Sequence, residues 1–454
     1  MNNKLLAVIS FLIALVVAIA AFPDGFAAIL ICLVLSVSGV AIIQGYAQDD
    51  GSEKDFLIRI FLVGLLIRVA FAALMHVFEI RTFFGEDSEL YDLLGDRLAN
   101  YWWGTNVISD GYLQRAIGIG SPGWGMNYLM GAIYFLVGRN PFAAQLFITV
   151  FGAFTSVLIY ICSKKIFNNQ RVAKIAALII ALSPSLIIWS SNILKDGIII
   201  FLLALVMVNT IYLMEKMRYE HLLMLALAMV GILFFRFYIF YIVAVSVVGS
   251  FLVGTSNSLN SIIGRTFAIV VIGVSLTYFG AVNLATSDFE TYGNLERVQI
   301  SRDYLSSSAN SGYISDSDVS TGSGAISALP LGLTYLMLAP FPWQINSFRQ
   351  AITLPEMLVW WASIPLLIIG LWYTIKHRLR NAIAILLFTL LLTIGYALFQ
   401  GNVGTAYRQR AQIQVFFFIF ISVGWNLSKE KRENKMALKA VNQQKRMQGL
   451  QSRV

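Results

Sequence analysis

Residues 56–78 read FLIRIFLVGLLIRVAFAALMHVF, and the chain that leaves them, residues 79–104, reads EIRTFFGEDSELYDLLGDRLANYWWG. The first stretch is long enough to cross a bilayer as a helix, because about 20 apolar residues rising about 1.5 Å each span the ~30 Å of hydrocarbon. The second is crowded with acidic residues, ends in two tryptophans and does not continue into lipid. A crossing helix that delivers carboxylates to one membrane surface is the unit from which the rest of the chain is read.

Comparable apolar runs recur almost end to end: Leu5 to Ala21, Phe26 to Ile43, Phe56 to Phe78, Phe142 to Cys162, Val172 to Ser190, Ile198 to Met214, His221 to Phe235, Tyr238 to Gly254, Thr266 to Val282, Met357 to Thr374, Ala382 to Phe399 and Ile413 to Leu427. Of the 454 residues 58% are apolar and 13% charged, about half the charged share of a soluble domain. The expected fold is therefore all-α and integral to the membrane, a polytopic bundle of about 12 transmembrane helices. One membrane domain, 56–427, is preceded by an additional N-terminal transmembrane hairpin, 1–45, and followed by a basic tail, 428–454. The first run lacks an A-x-A cleavage site and leads at once into another, so it reads as a helix and not as a signal peptide. Cys32 and Cys162 lie inside apolar runs and read as small buried hydrophobes.

The net charge of +9 does not point to nucleic acid, because Lys and Arg gather at the ends of the apolar runs and in the tail, as topology signals do. Placing Lys164, Lys165, Arg171 and Lys174, then Lys216 and Arg218, then Arg265, then Lys376, His377, Arg378 and Arg380 on the cytosolic side puts both termini there too. The loops from Glu79 to about Gly120 and from Asn283 to about Pro355, with the turns at Lys195, Arg236 and Arg408, then face away from the cytosol. Residues 121–138, SPGWGMNYLMGAIYFLVG, would break this alternation as a full span. They are expected to form a short half-inserted helix, which protein or a water-filled cavity can shelter. Residues 306–324, rich in Ser and Gly, cannot bury a core and read as mobile. Ala325 to Leu338, with Pro330 inside and Pro340 beyond, reads as interfacial. No internal repeat is visible, which weighs against transporters built from two related halves.

Four clusters on the outer face carry possible chemistry. In the first loop Leu90, Leu93, Leu94 and Leu98 recur at helical spacing, so Ser88 to Tyr101 is expected to lie on the membrane as an amphipathic helix anchored by Trp102 and Trp103. Most of its acids, Glu89, Asp92 and Asp96 among them, then form a solvated face, whereas Glu86 and Asp87 sit where span meets helix and suit a base. The second cluster is Lys195 and Asp196, in SPSLIIWSSNILKDG; a snorkelling lysine and a helix cap explain it equally well. Arg236, between two apolar runs, is the third and reads first as an interfacial anchor. The fourth is GNVGTAYRQR, residues 401–410. Arg408 and Arg410 at the outer mouth defy the positive-inside rule, and guanidinium suits a phosphate, although lipid headgroups would also attract it. No P-loop, dinucleotide fingerprint, H-E-x-x-H or G-x-S-x-G is present, and with only His76, His221 and His377 a histidine-based site is disfavoured.

The order GEDSELY after an outward span, then SP and KD two spans later, then YRQR before the last span resembles the polyprenol-phosphate-sugar-dependent glycosyltransferases of the GT-C fold, the family of protein mannosyltransferases and aminoarabinose transferases. The resemblance runs from about Phe56 to Trp425. It implies Asp87 as catalytic base with Glu86 beside it, Asp196 as a second acid, and Arg408 and Arg410 as ligands of the donor phosphate; Lys195 and Arg236, on the same face, are expected to join them there. Tyr91, Tyr407 and Trp343 are expected substrate contacts. It further implies a polyprenyl-phosphate-linked sugar as donor, a glycan, lipid or protein as acceptor, and membrane lipids as surroundings. No cofactor is certain, and a divalent cation is one possibility. The chain would sit in a cell membrane, in bacteria or archaea the plasma membrane. Two other classes remain open: an O-antigen polymerase or ligase working through Arg297, Arg302 and Arg349, and a transporter or flippase of lipid-linked substrates. Ala339 to Trp343 reads as an interfacial anchor.

Overall fold

The structure is a computed structural model that describes residues 12–13, 15–17, 19–47, 50–105, 110–118, 124–253, 295–307, 312 and 318–451. In chain order its helices are α1 (Gly25–Tyr46), α2 (Gly51–Val77), α3 (Asp87–Trp103), α4 (Gly111–Ile117), α5 (Trp124–Val137), α6 (Pro141–Phe167), α7 (Gln170–Leu182), α8 (Pro184–Ser190), α9 (Lys195–Glu215), α10 (Tyr219–Phe235), α11 (Phe237–Val253), α12 (Leu295–Ser307), α13 (Gly322–Leu338), α14 (Leu354–His377), α15 (Leu379–Phe399) and α16 (Val403–Gln451). Among the described residues there is no strand, only a bridge between Gly312 and Asn402.

The expected all-helical membrane bundle is borne out. Seven described helices, α1, α2, α6, α9, α14, α15 and α16 as far as Lys439, are long and apolar enough to cross a membrane. The remaining expected crossings resolve differently. Leu5 to Ala21 lies in part, and Thr266 to Val282 wholly, outside the described residues, as does about half of 306–324. The runs at His221 and Tyr238 form α10 and α11, of 17 residues each, about 25 Å long at 1.5 Å per residue. The segment 121–138 yields α5, whose 14 residues reach only about 21 Å. Its glycines are there for contact: a Cβ on Gly131 would come within 2.9 Å of Leu98 on α3, and one on Gly125 within 2.6 Å of the Phe234 carbonyl on α10.

Burial sorts the helices into layers. The apolar window of α6 is 89% buried, that of α1 and of α14 only 22%, so α6 is the axis and the other two present their apolar faces to lipid. Around α6 pack α1, α2, α7, α8 and α9, while α16 lies between α14 and α7. At one end of the bundle Lys164 pairs with Glu53 at 2.7 Å and Lys165 with Glu215 at 2.6 Å. At the other end lie the turns after α2 and before α9 and α16.

The run at Val172 to Ser190 is not one straight helix but two, α7 and α8, bent by 57°. The reason is local. Pro184 has no N–H, so it cannot donate to the Ile180 carbonyl one turn back. The next amide, Ser185 N, donates instead to Glu356 Oε2 at 3.0 Å, which frees the Ala181 carbonyl as well. Both carbonyls are met by Arg68, a fully buried side chain in the middle of α2. Its Nη2 donates to Ile180 O at 3.2 Å, its Nη1 to Ala181 O at 3.1 Å and its Nε to Ser190 Oγ at 2.8 Å. A charge at that depth is sustained only by such partners. Arg68→Met should strand the two carbonyls and destabilise the protein by roughly 3 kcal/mol, lowering the melting temperature in detergent by roughly 3 °C; an unchanged melting temperature would remove Arg68 from this role.

Candidate active site

The break in α7 and α8 sets the direction of the turn that follows. Asn192 Nδ2 donates to the Arg81 carbonyl at 2.9 Å, Gln145 Nε2 on α6 donates to the Ser191 carbonyl at 3.0 Å, and a Cβ on Gly85 would come within 2.9 Å of Leu194. The turn before α3 and the turn before α9 are therefore in contact, and Asp87 and Asp196, each in the first turn of its helix, come to the same end.

Asp196 is fully buried, and two arginines from distant parts of the chain neutralise it. Arg236 Nη2 donates to its Oδ1 at 2.6 Å, and Arg408 Nε donates to its Oδ2 at 2.6 Å. Arg408 Nη1 also donates to Asp87 Oδ2 at 2.8 Å, so a single guanidinium bridges both carboxylates. Arg236 Nη1 in turn donates to Tyr238 Oη at 3.0 Å. The two acids differ in access, for the Asp87 side chain is 49% exposed and that of Asp196 is not exposed at all. Asp87 can meet a substrate, whereas Asp196 fixes the arginines.

Lys195 is half-buried within the field of Asp87, Asp196, Arg236 and Arg408. No hydrogen bond or ion pair engages its ammonium among the described residues. With three cations against two carboxylates the cluster carries a surplus positive charge, the condition that favours an anion. Tyr91, one turn along α3 from Asp87, is buried; burial, and then the Asp87 charge, push its hydroxyl up to about 12, so at neutral pH it carries its proton.

The other expected site residues lie apart from this cluster. Glu86 is exposed and stands 3.6 Å from Arg349 Nη1, whose guanidinium lies 5.3 Å from the ring centre of Phe83. Arg410 is fully buried and turned the other way. Its Nη1 donates to Met337 O at 3.1 Å and Ala339 O at 2.9 Å, capping the C-terminus of α13. Tyr407 donates to Glu356 Oε2 at 2.7 Å, and Trp343 is exposed and stacked on Phe341. Among the described residues no group of three or more His, Cys, Asp or Glu that could hold a metal ion is present.

Three residues with structural weight escape the sequence reading. Asp92, placed there on the solvated face of the first-loop helix, is buried: Tyr134 Oη donates to its Oδ1 at 2.7 Å and Arg139 Nη2 to its Oδ2 at 3.2 Å. Helical spacing put it on the polar side, but that side is covered by α5 and by the turn after it, which carries Arg139. Glu356 accepts from the backbone and hydroxyl of Ser185, from Ser183 and from Tyr407. Arg68 was itself a signal, a lone cation mid-span that demands a partner.

Residues 122–282 match the family model of dolichyl-phosphate-mannose-protein mannosyltransferases. Over that span the resemblance drawn from the short motifs is borne out. It takes in Lys195, Asp196 and Arg236 and stops short of Asp87 and Arg408. No curated protein matches the chain. Among solved structures, the archaeal oligosaccharyltransferase AglB from Archaeoglobus fulgidus, in complex with an inhibitory peptide and a dolichol-phosphate, is similar at 13% identity and a TM-score of 0.46, covering 86% of this chain and 52% of that one. The chain thus spans about half the length of the archaeal enzyme.

A double-mutant cycle tests the buried pair. Arg236→Met and Asp196→Asn should each destabilise by about 3 kcal/mol, because each strands a buried partner, and the double variant should lose at least ~1 kcal/mol less than the two together. Strict additivity of the melting shifts would show that the two side chains do not depend on each other.

Proposed function

We propose that the protein is a membrane glycosyltransferase that moves a sugar from a polyprenyl phosphate to an acceptor hydroxyl on the extracytoplasmic side. The observation that carries the reading is the Arg408 bridge between Asp87 and Asp196, with the uncommitted Lys195 ammonium beside it. The mannosyltransferase family match over 122–282 supports the same class. The paired lysines at the far end of α6 support the orientation in which that end is cytosolic and the cluster faces outward.

In this reading Asp87 accepts the proton of the acceptor hydroxyl, and the oxygen forms a bond to the anomeric carbon of the sugar. The bond from that carbon to the phosphate oxygen breaks, and its electron pair leaves with the polyprenyl phosphate. Arg408 and Lys195 hold the charge that develops on the departing phosphate, the electrostatic stabilisation that group transfer requires. Asp196, buried between Arg236 and Arg408, keeps the guanidinium of Arg408 in place. Tyr91, protonated at neutral pH, offers a hydroxyl beside Asp87 to the acceptor or the sugar.

The decisive assay gives purified wild-type protein and the Asp87→Asn variant a radiolabelled polyprenyl-phosphate sugar and a membrane extract as acceptor source. Transfer should fall by at least about 100-fold in the variant, the scale of a lost general base, while expression and melting temperature stay near wild type. Equal transfer by both proteins would exclude Asp87 as the base, and absence of transfer by the wild type with a panel of donor sugars would overturn the reading itself.

A further inference from the structure

Arg408 sits in the first turns of α16, its guanidinium held by Asp196 and Asp87. The neighbouring residue adds a second hold on the same turn. Tyr407, about 100° around the helix from Arg408, donates its hydroxyl to Glu356 Oε2 at 2.7 Å. Its ring meets Trp189 of α8 edge-on at 6.3 Å, and the Arg408 guanidinium lies 6.0 Å from the ring centre of the same tryptophan. Glu356, in the first turn of α14, is engaged on both oxygens. Oε1 accepts from Ser185 Oγ at 2.6 Å and Ser183 Oγ at 3.2 Å, and Oε2 accepts from Ser185 N at 3.0 Å as well as from Tyr407.

One carboxylate thus ties together three parts of the fold: the α7–α8 break that aims the Lys195–Asp196 turn, the start of α14, and the helix turn that carries Arg408. All of its partners are donors, so they ask for an acceptor at each of four positions. We infer that Glu356 is a positioning residue for the phosphate-binding cations, acting through Tyr407 on Arg408 and through Ser185 on the turn bearing Lys195. The inference rests on the proposed role of Arg408 and Lys195 in holding the donor phosphate.

The chemistry of the partners predicts how substitutions differ. A hydroxyl can rotate to accept as well as donate, but a backbone N–H only donates. In Glu356→Gln the amide oxygen can keep Ser185 N and the Tyr407 hydroxyl, while the amide N–H group donates to the two serine hydroxyls, which turn around. Glu356→Ala offers none of these. Tyr407→Phe keeps the ring against Trp189 and cuts only the link to Glu356.

The test measures binding of radiolabelled undecaprenyl phosphate to the full chain in nanodiscs, alongside the melting temperature of each protein. Arg408→Ala should weaken binding by about 100-fold, and Tyr407→Phe and Glu356→Ala by about tenfold, with Glu356→Gln within about threefold of wild type. Tyr407→Phe should melt within a few degrees of wild type, which a merely structural contact would not combine with a tenfold loss of binding. If Arg408→Ala binds as wild type does, the phosphate reading and this inference fall together. If Arg408→Ala weakens binding but Tyr407→Phe does not, or if Glu356→Gln is as poor as Glu356→Ala, the positioning role alone is overturned.

Discussion

Two backbone carbonyls left without amide partners inside the bundle are the constraint on which the rest of this structure depends. Pro184 creates the first, at Ile180, and the diversion of Ser185 N to Glu356 creates the second, at Ala181. In water such groups would simply be hydrated, but in the apolar interior each must be met by the protein. Arg68 meets both from α2, and Glu356 takes the amide from α14. A bend that would destabilise an isolated helix thereby becomes a junction at which α2, α7, α8, α14 and α16 are fixed relative to one another.

The charged cluster inherits its geometry from this junction. The helix that emerges from the bend, α8, ends in the turn that presents Lys195 and Asp196, and its Trp189 lies against Tyr407 and Arg408. Opposite charges do the remaining work: Asp196, wholly withdrawn from solvent, is sustained by Arg236 and Arg408. A lone buried carboxylate would not survive there. Asp87, half-exposed, is the member left open to solvent.

Much of this could be read from residues in order. Runs of about twenty apolar residues specify crossing helices whatever they pack against, so α2, α6, α9, α15 and α16 follow from hydropathy alone. The gathering of Asp87, Asp196, Arg236 and Arg408 followed from counting crossings, since an even number between two polar turns returns the chain to the same face. What hydropathy could not give was direction within a face. Arg410 lies two residues from Arg408, hence about 200° around the helix, and points at the carbonyls closing α13 instead of at the acids. Asp92 kept the spacing of a solvated residue but found Tyr134 and Arg139, because α5 covers it. Glu356 drew no notice, since a glutamate after a proline at a helix start reads as an ordinary first-turn acid, and its four donors come from segments over fifty residues away in sequence.

The helix that carries Arg408 also runs without interruption from Val403 to Gln451, 49 residues and about 74 Å at 1.5 Å per residue. Only about 30 Å of that length can be taken up by hydrocarbon. The helix continues beyond it as a charged shaft, with Lys429, Lys431, Arg432 and Lys435 exposed along it and Glu433 3.9 Å from Arg171 of α7. The turn at Tyr407 and Arg408 and the exposed stretch around Lys429 are therefore parts of one continuous helix. One rod thus carries a guanidinium near one end and a row of cations toward the other.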